Sequence, residues 1–337
     1  MIQFLIKNNV LDQLRRLIIG SYYLSLLYYL YSRCVHCVSL RHIEGRKNKH
    51  LFEFEELAKN INYYPTSLIK DNCFYGTAKA LQDSPQKLDL KNRCLIEHGL
   101  ILGEFVQKHV EYSFADTIVT FSEYRKTIIE KKVKKKVVVI GPYIKHVAPL
   151  LSQEQLAEMK KELGKCLVVF PSHSIESTEA GFDIDTTIIE IERVKRLLDV
   201  STVIICMYWK DIQLQKFHSY LLKGYKITTA GHSFDYYFLN RLKSIISLAD
   251  FTMSNNVGTH VGYCISLNKP HYIFRQEVKQ IKLNSDFERE LTQRNKKDYI
   301  TYNNAREEIA EMFSDLSPSI NQDMRLLVER YWGAEIS

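Results

Sequence analysis

From residue 165 onward the chain repeats one unit, a short apolar run followed by a longer amphipathic one. CLVVFP (166–171), TVIICMYW (202–209), YKITTA (225–230), DFTM (250–253) and PHYIF (270–274) have the length and β-branched or aromatic content of buried strands. Between them, 185–198, 212–222, 236–249 and 257–267 carry apolar residues at helical spacing. Five strands alternating with four helices predict a parallel, doubly wound sheet.

The first half shows the same habit less regularly. RCLIEHG (93–99), DTIVTFS (116–122) and VVVIGPYI (137–144) read as strands, with EYRKTIIEKK as the helix between the last two. Pro149 and Ser152, in KHVAPLLSQEQ, mark a break and a new helix. The expected fold class is therefore α/β, with two Rossmann-like domains facing a cleft. The first covers 1–150 and carries an amphiphilic N-terminal segment, and the second covers 151–318. The tail, 319–337, contains the apolar helix MRLLVERYW, placed to pack back on the first half. A chain of 337 residues has room for two such domains.

In open α/β sheets ligands bind outside the carboxyl ends of the strands, so the residues after each run matter most. In the second half these are PSHSIEST, YWKD, GHSFD and SNNVGTH; in the first they include Glu97, His98 and Gly99. Ser254, Asn255, Asn256, Gly258, Thr259 and His260 bring hydroxyls, amides and a close-approaching glycine to a helix start, the parts that bind phosphate. Ser172, His173 and Ser174 offer a second set. The same residue types also cap helices and turn chains with no ligand at all. His98, flanked by Glu97, has a side chain suited to taking a proton from a hydroxyl; alternatively it is a satisfied strand-end histidine. His173 and His232, each followed by serine, could act as cations or donors toward a leaving phosphate.

Composition narrows the classes. The excess of 46 basic over 39 acidic residues gives +7, which suits an anionic ligand or membrane surface but not a dedicated nucleic-acid binder. KKVKKK, Lys131 to Lys136, reads as a solvated turn, with membrane contact second. Seven cysteines, mostly in apolar runs, indicate a reducing compartment. Cys34 and Cys37 lack the second pair of ligands a zinc site needs, so no metal is expected. Neither GxGxxG at a first strand nor GxxxxGK[ST] occurs, which disfavours dinucleotide and P-loop enzymes. The uncharged stretch 17–32, LIIGSYYLSLLYYLYS, is short for a membrane span and rich in tyrosine. It is either a buried element of the first domain or a face resting on the inner leaflet.

IEHG, DTIVTFSEYRKTIIE and VVVIGPYI together resemble the His-Gly, Ser-Glu-Tyr and Gly-Pro/Tyr succession of bacterial surface-polysaccharide transferases of the GT-B fold, notably the CDP-glycerol glycerophosphotransferases of teichoic acid synthesis. ADFTMSNNVGTHVGYCISLNKPHYIF is similar to the strand, polar turn, helix and Lys-Pro strand of their second domain, and to the serine-motif region of capsule sialyltransferases and Kdo transferases. Asn255 and Asn256 stand where those relatives have paired serines. The resemblance implies a metal-independent glycosyltransferase without cofactor. Its donor would be a nucleotide-activated sugar and its acceptor a hydroxyl of a growing O-antigen or capsule polysaccharide, free or lipid-linked, at the cytoplasmic face of the membrane. His98 would match the catalytic base, and Ser254, Gly258 and Thr259 the diphosphate-binding turn, with His173 a loose match to the sialyltransferase histidine. A glycerophosphotransferase-like polymer enzyme and a non-hydrolysing sugar-nucleotide epimerase are the alternatives. The epimerase would need several strand-end carboxylates, and only Glu97, Glu123, Asp183 and Asp235 are candidates. A non-catalytic binding protein is a further one.

Overall fold

The computed structural model describes residues 13–83, 93–175, 178–282 and 296–333. Its larger sheet is parallel and has five strands: β4 (Cys166–Phe170), β6 (Thr202–Cys206), β7 (Lys226–Thr228), β8 (Phe251–Ser254) and β9 (His271–Ile273). They lie in the order β7-β6-β4-β8-β9, so the chain reverses its direction of travel across the sheet between β4 and β8. Every residue of β4 is buried, the pattern of a strand covered on both faces. The smaller parallel sheet has the order β1-β2-β3 and is made of β1 (Cys94–Ile96), β2 (Thr117–Thr120) and β3 (Lys136–Val139). A third, antiparallel ribbon joins β5 (Thr178–Gly181) to β10 (Lys279–Lys282).

The rest is positioned by the helices α1 (Tyr22–Val35), α2 (Glu123–Glu130), α3 (Gln153–Leu163), α4 (Ile184–Leu197), α5 (Phe238–Leu248), α6 (Thr259–Ser266), α7 (Lys296–Met312) and α8 (Gln322–Trp332), and a further one, Cys37–Gly45, follows α1. Their starts obey capping chemistry. Ser152 and Gln155 form a reciprocal capping box on α3, and Asp183 accepts the N–H groups of Asp185 and Thr186 on α4. Asp250, just before β8, accepts the Cys166 N–H at 2.8 Å and Lys160 Nζ at 2.9 Å, which aligns the starts of β4 and β8.

The second-half pattern is realised strand for strand, with two departures. The expected helix 212–222 is two short pieces, Trp209–Gln213 and His218–Leu222, interrupted where Gln215 adopts φ of 58°. The expected strand 202–209 ends at Cys206 because Trp209 already opens the first piece. In the first half, 137–144 is a strand only to Val139; Gly141 turns at φ of 74° and Tyr143–Lys145 is a 3-10 turn. The β5–β10 ribbon is not anticipated by the pattern.

The two parallel sheets are separate hydrogen-bonded units, yet one apolar cluster runs through both, from Ile96 and Val119 to Val168, Ile273 and Trp332. The segment after α1 lies against the larger sheet: Thr228 Oγ1 donates to the Leu51 carbonyl at 2.6 Å and Tyr236 Oη to that of Tyr64 at 3.1 Å. The tail helix α8 packs on α6 and α2, and Trp332, fully buried, donates its indole N–H to the Thr259 carbonyl at 3.1 Å. Cys34 and Cys37 are free and exposed. Among the described residues no His, Cys, Asp and Glu cluster is placed to hold a metal, and no helix is long and apolar enough to cross a membrane.

A methyl at Gly262 would overlap the Trp332 ring. Gly262→Ala should therefore lower unfolding free energy by about 1–3 kcal/mol through overpacking, read as a lower midpoint in denaturant with the slope unchanged; an unaltered midpoint would mean that α8 does not seat there.

Candidate functional site

A cleft of about 450 Å3 opens where β1 of the smaller sheet meets β4 and β8 of the larger. It lies at the point where the strand order reverses, the position at which doubly wound sheets receive ligands. Its walls include His98 and Gly99 from the end of β1, Ser172 and His173 after β4, and Gly258 and His260 at the start of α6. Thr259 Oγ1 accepts the Leu100 N–H at 2.9 Å and so ties the two sides together.

His98 presents its ring to Phe74, 5.0 Å between centroids, and to Tyr75 at 6.0 Å. Burial pushes its pKa below the ordinary 6.5, with Asp71 pulling the other way. Asp71 is itself engaged by His109 Nε2 at 3.0 Å. The imidazole of His98 is therefore neutral at neutral pH, the form that accepts a proton.

The opposite wall is the start of α6. Gly258 occupies the capping position and no side chain caps the helix there. His260 stacks on Phe170 at 5.0 Å and 15°, and its Nε2 is buried without a partner. Ser172 Oγ is buried without a partner as well. Orphaned polar atoms are rare in folded proteins, and two at the lip of one cleft are suited to a ligand. Burial, followed by the nearby His173, holds the His260 pKa down at about 3, so this ring is a neutral hydrogen-bonding group and not a cation. Asn256 faces the cleft with its Oδ1 taken by Val257 N–H and by Arg306 from α7, at 2.5 and 3.1 Å.

Five of the expected site residues are not brought there. Glu97 points away from His98, as alternate strand residues do, into a buried pair with Arg125 at 2.7 Å and a hydrogen bond from Thr120 Oγ1 at 2.8 Å. Ser174 is fully buried against Asp211, Oγ to Oδ1 2.6 Å, and against the Ala180 N–H. His232 packs on Trp209 at 4.2 Å and accepts the Phe234 N–H; burial, with Arg46 second, lowers its pKa to about 4, so it is not a cation either. Ser254 bonds the Asn256 carbonyl and His271 inside the sheet end. Asn255 holds the backbone of Ser172 at 2.7 Å and reaches Gln276 at 3.0 Å, so it shapes the turn from behind.

Sequence reading missed the aromatic side of the cleft. Tyr75 sits at φ of 58° and ψ of 23°, a left-handed conformation costly for a tyrosine, followed by Gly76 at 63°. Its hydroxyl lies 3.5 Å from that of Tyr208, whose ring in turn meets His173 at 4.5 Å. Only the FYG triplet hinted at such a turn, and it lies in a stretch with no periodicity.

Replacing Glu97 by Gln leaves the Arg125 guanidinium buried with a weaker partner, so stability should fall by about 3–5 kcal/mol; an unchanged melting temperature would return Glu97 to the list of chemical candidates. Acid should also unfold the protein early. His232 takes its proton at about 4 when folded but near its ordinary 6.5 when unfolded. The unfolded chain thus binds more protons between those values, and stability present above pH 6.5 is lost as pH falls toward 4. His232→Asn should flatten that part of the melting temperature against pH curve; an unaltered slope would assign the loss elsewhere.

No family model matches the chain, and no curated protein does. Among solved structures it is similar to the wall teichoic acid polymerase TagF, at 12% identity over 75% of this chain and 67% of that one with a TM-score of 0.40. It is also similar to S. aureus MnaA, in a co-structure with UDP, at 12% identity over 77% and 76% with a TM-score of 0.39.

Proposed function

We propose that the chain is a metal-independent glycosyltransferase that moves a sugar from a nucleotide-activated donor to a hydroxyl of a growing bacterial surface polysaccharide, O-antigen or capsule. The observation that carries this reading is a neutral, buried-side histidine, His98, facing an uncapped helix start across a single cleft. The donor phosphates sit at the first-turn amides of α6, where the helix dipole and the Ser172 hydroxyl favour negative charge. The acceptor hydroxyl enters from the His98 side. His98 takes its proton as the oxygen bonds to the sugar's anomeric carbon, the bond from that carbon to the donor phosphate oxygen breaks, and the electron pair leaves on the phosphate. The acceptor is a polysaccharide end, free or lipid-linked, at the inner face of the cell membrane.

The epimerase alternative is the weaker one because its carboxylates are occupied. Glu97 is paired with Arg125, Asp235 with Arg241, and Asp183 caps α4. Glu123 is exposed beside Lys126.

A panel of UDP-, GDP-, CDP- and CMP-activated donors tests the proposal by thermal shift. A donor at about 100 times its dissociation constant adds about 2.7 kcal/mol of stability. His98→Ala should keep that shift while turnover falls at least about 100-fold. In the parent, the acid limb of kcat/KM should have its midpoint below 6.5, because burial lowers the pKa of the base. Unchanged turnover in the variant, or no shift with any donor, overturns the reading.

A further inference from the structure

Away from the cleft, α1 is inverted relative to a helix that packs in water. Leu24, Leu27, Tyr28, Tyr31 and Val35 follow the i, i+3, i+4, i+7, i+11 spacing of one face, and that face is outward, with Leu27 at 62% and Tyr31 at 64% exposure. The residues it buries are serines, Ser25 and Ser32. Ser25 Oγ donates to the Ile18 carbonyl at 2.7 Å, and Tyr22 meets the Phe114 ring at 5.6 Å, so the inward side is packed. The apolar face continues into the helical residues 13–20 through Leu17, also 62% exposed. A contiguous apolar surface of this kind marks an interaction site.

Its surroundings select the partner. Arg15 and Arg16 are exposed at the start of the stripe, and the Arg16 guanidinium lies 5.6 Å over the Tyr112 ring. The basic turn 131–136, which the cleft chemistry does not use, is attached to the same place. Lys135 Nζ donates to the Ser113 carbonyl at 2.7 Å, and the next N–H, Phe114, donates to the Ile19 carbonyl at 2.8 Å. Lys131, Lys134 and Lys136 are exposed beside it. The stripe thus combines leucines, tyrosines with polar tips, and a cationic rim, the composition of a helix that lies in a bilayer interface over anionic headgroups. A second copy of this chain would bring the same positive rim against itself.

We propose that the α1 face, with Arg15, Arg16 and the 131–136 turn, docks the protein on an anionic lipid surface. This does not rest on the reaction assigned to the cleft and stands or fails apart from it. The full chain should co-sediment with phosphatidylglycerol–phosphatidylcholine vesicles and not with phosphatidylcholine alone, and binding should weaken as salt rises. Leu27→Glu with Tyr31→Glu, and separately Lys131→Glu with Lys134→Glu, should each cut the partition coefficient at least about tenfold. All four side chains are exposed, so circular dichroism and the melting temperature should match the parent. Absence of sedimentation with the anionic vesicles, or parent-like binding by both variants, overturns the proposal. So does a dimer in analytical ultracentrifugation that the Leu27 pair abolishes while vesicle binding is unaffected.

Discussion

One buried carboxylate holds the long N-terminal segment against the larger sheet. Asp235 is fully buried, 3.0 Å from Arg241 Nη1 and 3.8 Å from Arg46 Nη1, so two guanidiniums share one negative charge inside the protein. Carbonyl oxygens take up the terminal nitrogens of both guanidiniums, while the Nε of each is buried without a partner, a cost the cluster carries. Arg241 reaches the carbonyls of Ala230 and Arg46, and Arg46 those of Leu57 and Lys59. These bonds are what place residues 46–59 at the carboxyl end of β7, beside Thr229 and Ala230 in the cleft wall. Gly231 is required there, at φ of 109°, because a Cβ would press on Asp235 and Arg241. The GHSFD turn therefore spends its polar residues on assembly rather than on ligand.

The cleft carries polar groups on largely apolar walls without being cationic. Among the described residues, none of its wall side chains is Lys or Arg, and His260 is kept neutral by burial. Whatever attraction it exerts on an anion comes from backbone amides at α6, from hydroxyls and from aligned dipoles, all fixed before a ligand arrives. Such groups need little reorganisation as charge develops, which is what the proposed transfer asks of them. Arg306 is one side chain removed, spent on fixing Asn256.

What was legible in the sequence was whatever repeated. The five strands of the larger sheet and their helices follow from apolar runs of strand length, and the cleft's two poles, His98 and the SNNVGTH turn, follow from asking what stands after each strand. Which of those residues face the cleft was not legible, because it depends on the pleat and on partners distant in sequence. Glu97 and His98 are neighbours, yet one meets Arg125, 28 residues on, and the other the cleft. Ser254 and Asn255 look like ligand groups and instead satisfy His271 and the Ser172 backbone. In the amphiphilic segment the composition left two readings open, a buried element or an exposed face, because leucine and tyrosine suit both. Only packing shows that the serine side is the inner one.

The Phe74–Gly76 turn shows why the aromatic wall escaped notice. A left-handed tyrosine is unfavourable locally and survives only where surrounding contacts over-determine it. Here the Tyr75 N–H donates to the Ser233 carbonyl at 2.6 Å, and a Cβ on Gly76 would strike the carbonyl of Tyr236, so the turn is clamped against the same GHSFD segment that Asp235 anchors. With the backbone fixed, the Tyr75 ring is delivered between His98 and Phe238, at 6.0 and 4.9 Å. The strain is thus borne by the contacts that join the two halves of the chain, and the position of the His98 ring depends on the same contacts. A residue whose conformation is set by a turn so distant in sequence, Ser233 acting on Tyr75, leaves no periodic trace in its own neighbourhood, because tertiary contacts there override local preference.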